Sequence, residues 1–302
     1  MNNLQAQDGL THRLNDDQIA LYQSNGYITV ENVFSADEVA EMRRVTEEFV
    51  ELAREVESNT PVYDLEPNHS REQPRVRRIK NPASHHVAYA GILKHSRLLD
   101  LIEQLIGPNL WSNGNKLNMK SAAFGSPIEW HQDWAFYPQT NDDLLAVGVA
   151  IDDMTMENGC MLMVPGSHRG PLFDHHQNGA FVGAITDSEF NPEREEVVPV
   201  EVKAGGISIH HARTLHASAP NTSSKSRRLL LIQYCAGDAW PIVSAPPSWE
   251  AHEASFVRGK PTTVPRMTNV PVRLPMPNLK PGGTIYELQT QMKESVFAAG
   301  KM

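Results

Sequence analysis

The sequence predicts a mainly β protein with its helices gathered near the N-terminus, an α+β arrangement. Two observations support this fold class. Apolar residues at helical spacing end at Ile106, and from Leu110 onward short runs of strand-forming residues alternate with turn signals. Such a succession of short strands is typical of a double sheet, so we expect a jelly-roll core behind an N-terminal helical layer.

The helical layer, at about 14–106, is predicted from caps and spacing. Asn25-Gly26 is a stop signal for a first helix, and Ser35 with Glu38 matches the capping box that starts a long amphipathic helix. The predicted elements are a helix at 16–25, a strand at 27–30, a helix after Ser35, a loop at 59–73, a strand at 75–80 and a helix at 96–106.

The jelly-roll core is expected at about 110–236 and a Pro-rich segment that wraps over it at about 240–302, within one domain that spans 1–302. Prolines interrupt helices and central strands, which is why the last segment is expected to be irregular, with a short helix near 288–297. The predicted core strands are 111–124 (one or two strands), 129–133, 144–151, 160–164, 197–202, 206–211 and 228–235.

The composition limits the function classes. The chain has 302 residues, of which 21% are charged and 40% hydrophobic, and its formal net charge is -9. This acidic balance argues against binding of nucleic acid or anionic membranes, because no basic field would attract phosphate groups. The N-terminus has no apolar signal core, no run has membrane-spanning length, and Cys160 and Cys235 lie far apart. We expect a cytoplasmic monomer or homodimer that acts on a small molecule.

The candidate site starts from the segment Glu129-Trp130-His131-Gln132-Asp133-Trp134. Side chains two positions apart on an extended strand point to the same side, so His131 and Asp133 should lie together. With one more histidine they would form the two-histidine, one-carboxylate face that suits non-haem Fe(II) and leaves coordination positions open.

The sequence pattern alone does not decide which histidine is the third metal ligand or which arginine would bind an anion. Of thirteen histidines, the neighbours His210, His211 and His216 form the best source of a ligand. Arg227 and Arg228 open an apolar strand, and one of them must face inward if that strand is half buried. A buried arginine needs an anionic partner, which a dicarboxylate cosubstrate could supply; two cations in solvent at the strand edge are the alternative.

A set of motifs then points to one family. The motifs are Asn25-Gly26-Tyr27, Trp130-His131-Gln132-Asp133, Glu157-Asn158-Gly159-Cys160, Pro165-Gly166-Ser167-His168 and Leu215-His216-Ala217-Ser218-Ala219-Pro220-Asn221. With them, most of the chain resembles the phytanoyl-CoA dioxygenase family of Fe(II)/2-oxoglutarate-dependent oxygenases. The resemblance implies a double-stranded β-helix (jelly roll, cupin-like) core and the use of Fe(2+), 2-oxoglutarate and O2.

The resemblance also implies roles for individual residues. His216 would be the distal iron ligand that joins His131 and Asp133. Arg227, eleven residues after that histidine, would bind 2-oxoglutarate, and the Ser218 hydroxyl would help to hold the same carboxylate.

Lys120, on the strand before the metal-binding motif, is a weaker candidate for a cosubstrate or substrate contact. Two positions depart from the family pattern: Ala217 stands where glycine is usual, and Val149 where tryptophan is frequent. Either change could reshape the cosubstrate pocket without abolishing the site.

The implied reaction hydroxylates an unactivated C–H bond of a small or medium organic substrate and yields succinate and CO2. Desaturation or epoxidation at the same centre is one alternative, and a cupin-type metal enzyme that does not use 2-oxoglutarate is another. Aromatic residues directly after the ligand strand could form a substrate wall, although core packing explains them at least as well. Cations in the 75–80 strand could hold an anionic substrate or lie on a solvated edge. The tentative substrate residues are Trp134, Phe136, Tyr137, Arg75, Arg77 and His211.

Overall fold

The computed structural model describes residues 9–123, 125–243, 245–273 and 285–290 and the single positions 292, 295 and 297. Within these residues the helices are α1 (Asp16–Asn25), α2 (Ala36–Leu52), α3 (Val87–Leu93), α4 (Ser96–Ile106), α5 (Trp249–Ala254) and α6 (Ile285–Gln289). The strands are β1 (Tyr27–Val30), β2 (Tyr63–Leu65), β3 (Val76–Lys80), β4 (Leu110–Lys120), β5 (Ile128–His131), β6 (Leu144–Ala150), β7 (Met161–Met163), β8 (His176–Gln177), β9 (Ala180–Phe181), β10 (Val198–Val200), β11 (Ile207–His211), β12 (His216–Ser218), β13 (Arg227–Ala236) and β14 (Phe256–Arg258). The protein is thus mostly β-sheet with few helices, as predicted.

The helix caps act as the sequence predicts. Ser35 accepts a hydrogen bond from the backbone of Glu38, whose side chain accepts one from the Ser35 N–H, so α2 begins with a complete capping box. Asn15 and Gln18 form the same arrangement at the start of α1. Gly26 ends α1 with φ at 79°, a left-handed conformation that glycine adopts without strain.

The strands form two larger antiparallel sheets and one hairpin. The eight-stranded sheet has the order β1-β11-β6-β13-β4-β3-β2, with β14 also paired to β4. The four-stranded sheet has the order β10-β7-β12-β5, and β8 pairs with β9. Apart from β2, β3 and β4, neighbouring strands in both sheets are not consecutive in sequence, so distant parts of the core segment are brought together.

One face of the eight-stranded sheet packs against the helices. Alternate residues of its central strands, Leu117, Val147, Ile209 and Leu230 among them, join Val45 of α2 and Leu101 of α4 in the main hydrophobic core. The helices therefore cover this face, which is the packing that the sequence predicts for α2.

The other face of the same strands carries small and polar side chains. Ala146 and Gly148 on β6 alternate with the apolar core residues, and Asn118, His210 and Gln233 occupy the matching positions on β4, β11 and β13. This inner face looks toward the four-stranded sheet. The sheet is therefore apolar toward the helices and carries a mixture of small, polar and apolar side chains toward the candidate site.

Several expectations need correction. The segment 59–73 is expected to be a loop but contains β2, and the Pro-rich segment contains α5 and β14. The ligand strand is expected to reach Asp133, yet β5 ends at His131 and a 3-10 helix begins at Asp133. Leu52 should lie on the buried face of α2 but is 67% exposed at the end of that helix. The helix expected at 288–297 falls partly outside the described residues, where α6 covers Ile285–Gln289.

Two further observations bear on the class of protein. Within the described residues, no helix combines the length and the apolar character needed to cross a membrane. Cys160 and Cys235 are both buried free thiols.

Candidate active site

A cavity of about 510 Å³ lies between the inner faces of the two larger sheets. Residues of β4, β6, β11 and β13 line one side, residues of β5, β7 and β12 line the other, and Ile285 of α6 contributes as well. Its wall combines apolar side chains with a few buried polar ones, which is the usual composition of a ligand pocket.

Three candidate metal ligands meet in this cavity. His131 at the end of β5 and His216 at the start of β12 are directly paired across neighbouring strands, and their ring centroids are 4.1 Å apart. The Asp133 Oδ1 atom lies 3.9 Å from His131 Nε2. One ligand atom from each of the three buried residues lies within 4.8 Å of the others, which is a compact face of the kind that binds a divalent metal.

Backbone contacts orient both imidazole rings. His131 Nδ1 is 2.8 Å from the carbonyl oxygen of Glu129, and His216 Nδ1 is 2.9 Å from that of Thr214. A carbonyl oxygen only accepts hydrogen bonds, so each ring is expected to carry its hydrogen on Nδ1 and to present the lone pair of Nε2 to the cavity. Both rings are thus prepared to bind a metal through the same nitrogen.

The protonation states fit the same chemistry. Burial lowers the pKa of His216 to about 4 and the pKa of His131 well below its usual value, so both rings are neutral at pH 7. Burial alone would raise the pKa of Asp133, but the contact from His210 and other basic groups hold it well below its usual range. Two neutral imidazoles and one carboxylate form the donor set of a non-haem Fe(II) site.

The segment that carries these ligands is firmly held. The Gln132 side chain donates hydrogen bonds of 3.0 Å to the carbonyls of Pro171 and Arg213, and its backbone N–H donates to His175 Nε2, also at 3.0 Å. Gln132 keeps an extended backbone between the strand and the 3-10 helix. The geometry expected of positions two apart on a strand therefore persists to Asp133, although the strand itself has ended.

Arg227 opens β13 beneath the same cavity and is 2% exposed. Its Nη2 donates to the carbonyl of Gly159 at 2.7 Å, while Nε and Nη1 have no hydrogen-bond partner among the described residues. Burial lowers the pKa of this guanidinium to about 10. A buried cation with two unused donors calls for an anionic ligand, because an unpaired buried charge is costly.

Ser218 lines the same cavity, and Lys120 lies beside Arg227 in the sheet. The buried Ser218 hydroxyl has no hydrogen-bond partner among the described residues, which fits a role beside Arg227. Lys120 pairs with Arg227 across β4 and β13, but its ammonium contacts the carbonyl oxygens of Ser218 and Ala219. The structure therefore places Lys120 as a support for the end of β12, and its contact with cosubstrate or substrate stays a prediction.

Arg228 lies on the opposite side of the sheet. Its Nε and Nη2 donate to the two carboxylate oxygens of Asp152 at 2.7 and 2.8 Å, and its Nη1 reaches Glu47 of α2. Of the two arginines that the sequence leaves open, Arg227 thus faces the cavity, and Arg228 is bound to acidic partners under the helical layer.

The geometry of the candidate site agrees with the comparison with known protein families. The chain matches the family model of phytanoyl-CoA dioxygenase over residues 22–229, which include the three candidate metal ligands, Ser218 and Arg227. It belongs to the phytanoyl-CoA dioxygenase family.

Several proteins similar to this chain have names that state an activity or a bound ligand. A protein of Stutzerimonas stutzeri named as a probable alpha-ketoglutarate-dependent hypophosphite dioxygenase is 35% identical over 282 residues, 91% of this chain and 97% of the relative. An ectoine dioxygenase of Sphingopyxis alaskensis is 24% identical over 72% of this chain and 75% of its own length. The crystal structure of EctD from S. alaskensis with 2-oxoglutarate and 5-hydroxyectoine matches with a TM-score of 0.65 and 23% identity, over 86% of this chain and 88% of EctD.

The cavity of this phytanoyl-CoA dioxygenase family member also contains polar residues to which the sequence assigned no role, apart from His210, which was an alternative to His216 as the third ligand. They are Arg78, Lys116, Asn118, His210 and Gln233. His210 Nε2 lies 3.5 Å from Asp133 Oδ2, and the two ring nitrogens have no hydrogen-bond partner among the described residues. Alternation along β11 could have identified His210, because Ile207 and Ile209 mark the core-facing side and His210 must face away from it.

The aromatic residues after the ligand strand have different positions. The Phe136 ring lies 6.0 Å from that of His131, and the Tyr137 hydroxyl contacts the Gln233 side chain of the cavity wall. Trp134 is instead fully buried in a separate cluster with Leu144, and its Nε1 donates to the carbonyl of Pro271 at 2.7 Å. The substrate role expected for Trp134 is corrected to core packing, because the 3-10 helix turns this side chain away from the cavity.

Three of the tentative substrate residues also lie elsewhere. Arg77 Nε binds Glu66 at 3.2 Å, and Arg75 Nη2 binds Gln73 at 3.2 Å just before β3 begins. His211 is on the core-facing side of β11, with its Nε2 3.9 Å from Asp142. These assignments are corrected, because the cavity receives the alternate residue in each strand, Arg78 on β3 and His210 on β11.

Proposed function

We propose that this protein is an Fe(II)- and 2-oxoglutarate-dependent oxygenase that hydroxylates a small molecule and forms succinate and CO2. One observation carries the proposal. A buried two-histidine, one-carboxylate face and a buried arginine with two unused donors line the same cavity. A metal site without 2-oxoglutarate would leave that arginine without an explanation.

In this proposal His131, Asp133 and His216 hold Fe(II) through the two Nε2 atoms and a carboxylate oxygen. Three protein ligands leave positions for a cosubstrate and for O2. Bound iron, with 2-oxoglutarate and O2, supplies the oxidation: one oxygen atom enters the substrate as hydroxyl and the other enters succinate as CO2 is lost.

Arg227 and Ser218 would bind the carboxylate of 2-oxoglutarate that is distant from the metal. The guanidinium has unused N–H groups on Nε and Nη1, and either one can form a two-toothed contact with a carboxylate together with the second hydrogen of Nη2; the Ser218 Oγ adds a further contact. The Gly159 carbonyl holds Nη2 through its other hydrogen, so the fork is aimed before the cosubstrate arrives. A fixed guanidinium lowers the entropy cost of binding.

We also propose a jelly-roll core within one domain that spans 1–302. The two antiparallel sheets support this architecture, since the chain crosses repeatedly between β4, β6, β11 and β13 of the larger sheet and β5, β7, β10 and β12 of the smaller one. The helical layer precedes this core in sequence and the Pro-rich segment follows it. A cytoplasmic monomer or homodimer remains our expectation.

The substrate is proposed to be small. The relative with 35% identity is named for hypophosphite, which has P–H bonds, whereas the ectoine dioxygenase is named for an organic compound. The same chemistry converts either a C–H or a P–H bond to a hydroxyl. Cavity residues Leu229, Leu231 and Ile285 would exclude water around that bond.

The test is succinate formation from 2-oxoglutarate with added Fe(II), measured without substrate and then with small-molecule candidates. Wild type should turn over 2-oxoglutarate, and His131→Ala should lose both turnover and tight Fe(II) binding. His85→Ala changes an exposed histidine of the N-terminal layer and serves as the matched control. Absence of turnover in wild type, or full turnover in His131→Ala, would contradict the proposal.

A further inference from the structure

A second basic region lies in the cavity, apart from the arginine assigned to 2-oxoglutarate. Arg78 on β3 is 6% exposed and lines the cavity. Its Nε donates to Asn118 Oδ1 at 2.9 Å, and its Nη2 has no hydrogen-bond partner among the described residues. The guanidinium therefore has an unused hydrogen-bond donor at the cavity wall.

Lys116 is the second cation of this region. It lies on β4 two and four residues before Asn118 and Lys120, so its side chain shares their face of the strand and lines the cavity. Its ammonium makes no hydrogen bond or ion pair in the part of the chain that the structure describes. Burial lowers the pKa of Lys116 to about 8, although the nearby Asp133 carboxylate acts in the opposite direction.

The nearby acidic group does not neutralise this region. Asp64 on β2 is the carboxylate beside Arg78, but its Oδ1 is 2.9 Å from Lys80 Nζ, whereas Arg78 Nε is 4.0 Å from Oδ2. This carboxylate thus faces two cations, Arg78 and Lys80, and it is closest to Lys80. Asp133 also acts on Lys116, but in the proposed site this carboxylate binds the metal, so Arg78 and Lys116 remain available to an anion.

The region is also separate from the 2-oxoglutarate anchor. In the sheet register Arg227 is opposite Lys120, whereas Lys116 is opposite Leu231, four residues farther along β4. Four residues of a strand span roughly 13 Å, so Lys116 is far from the Arg227 level. Lys116 is close enough to Asp133 for that carboxylate to influence its pKa. A ligand on Lys116 would thus lie beside the candidate metal face.

We propose that Arg78 and Lys116 bind the negatively charged group of the substrate, and that the substrate is a small oxyacid anion such as a phosphinate, a phosphonate or a short carboxylate. This inference rests on the proposed function, because it uses the part of the cavity that 2-oxoglutarate and the metal leave. The substrate would share this cavity with 2-oxoglutarate and the metal, which favours a small ligand.

The same two cations could instead serve the carboxylate of 2-oxoglutarate that lies next to the metal. Both ligands present the same chemistry, a small anion that accepts hydrogen bonds from Arg78 and Lys116. They differ in which affinity falls when a cation is removed, and the experiment below measures both affinities separately.

The experiment is anaerobic calorimetric titration of the Fe(II) protein, first with 2-oxoglutarate and then with hypophosphite, methylphosphonate or acetate. Dimethyl methylphosphonate, a neutral ester, is the uncharged control ligand. Lys116→Met should weaken binding of the preferred anion roughly 10-fold to 100-fold, the loss of one hydrogen bond to a charged group, and leave 2-oxoglutarate affinity unchanged. Lys116→Arg should retain most of the affinity. Lys94→Met, which removes an exposed lysine after α3, is the charge-matched control.

Arg78→Met should give the same selective loss, and its far-ultraviolet circular dichroism and unfolding temperature show whether it folds. Three results would overturn the inference: no anion of the set binds wild type, Lys116→Met binds the anion as wild type does, or Lys116→Met loses affinity for 2-oxoglutarate instead. Succinate formation by wild type without substrate keeps the two proposals apart. If it occurs and no anion binds, only the substrate inference fails; if it is absent, the proposed function fails.

Discussion

Replacement of Arg227 by methionine should separate cosubstrate binding from stability. Methionine keeps an unbranched chain of similar length and removes the charge and all donors. In the structure the guanidinium is buried, and one of its nitrogens is bound to the Gly159 carbonyl while Nε and Nη1 are unused. The variant therefore loses little that the protein uses on its own and everything that the carboxylate of 2-oxoglutarate would use.

The magnitude follows from the two unused donors. A hydrogen bond to a charged group contributes about 1.5–3 kcal/mol, so two of them contribute at least about 3 kcal/mol to 2-oxoglutarate binding. Since 1.4 kcal/mol is a factor of ten, the KM for 2-oxoglutarate should rise by about 100-fold or more. The free energy of unfolding without ligand should change by less than about 1 kcal/mol, because loss of the Gly159 hydrogen bond is offset by removal of an unpaired buried charge.

The matched control is Arg228→Met, the same change one residue away on the opposite face of β13. Arg228 binds both carboxylate oxygens of the partly buried Asp152, so this variant should lose about 2 kcal/mol of stability and keep the KM for 2-oxoglutarate. Succinate formation at varied 2-oxoglutarate and urea unfolding of the ligand-free protein measure the two effects. An unchanged KM in Arg227→Met, or an equal rise in Arg228→Met, would refute the assignment.

Two further predictions concern the supports of the site. Gly159 has φ of +77°, and an added Cβ would lie 2.5 Å from the carbonyl oxygen of Ala219; Gly179 has φ of +78° with nothing within 4 Å of such an atom. Both Gly→Ala variants should therefore lose about 1–3 kcal/mol of unfolding free energy from backbone strain. Gly159→Ala should lose more than Gly179→Ala because of the close contact, and it alone should raise the KM for 2-oxoglutarate. Equal losses in urea unfolding would contradict this. Burial lowers the pKa of His175 to about 4, below its unfolded value of about 6.5. Between these two pH values the unfolded chain binds more protons than the folded protein, so stability falls as the pH falls. Wild type should lose about 2 kcal/mol from this residue between pH 7 and pH 5, His175→Gln should lose that much less, and identical pH profiles would contradict the prediction.

The sequence was a good guide wherever a local rule decides the structure. Capping residues located α1 and α2, and Ser96 to Ile106 was predicted to the residue as α4. The pair His131 and Asp133 depends only on two positions along an extended backbone, so it survives the early end of β5. His216 depends on a cross-strand contact that spacing cannot supply, and it followed only from the family resemblance.

The sequence was a poor guide to which side of a strand faces the cavity. The eight-stranded sheet is covered on both faces, by helices on one and by the smaller sheet on the other, so both sides of its strands are buried. The usual contrast between an apolar and a solvent-facing side is then lost. In β3, Arg77 and Arg78 are both plausible inward residues by pattern, and only the pairing of Arg78 with Asn118 in the register places Arg78 in the cavity.

Although both faces of the sheet are buried, a wrong assignment of the cavity-facing side of one strand can be corrected from the strands paired with it. Paired residues in adjacent strands share a face, so the core position of Ile209 on β11 places Val147 of β6 and Ile232 of β13 with it. His210 and Gln233 must then lie on the opposite face, which is the cavity. With the strand register known, one apolar run is enough to identify the cavity-facing residues of all the strands paired with it. Strand pairing, rather than the residues of any one strand, is therefore the information that the substrate side of this site requires.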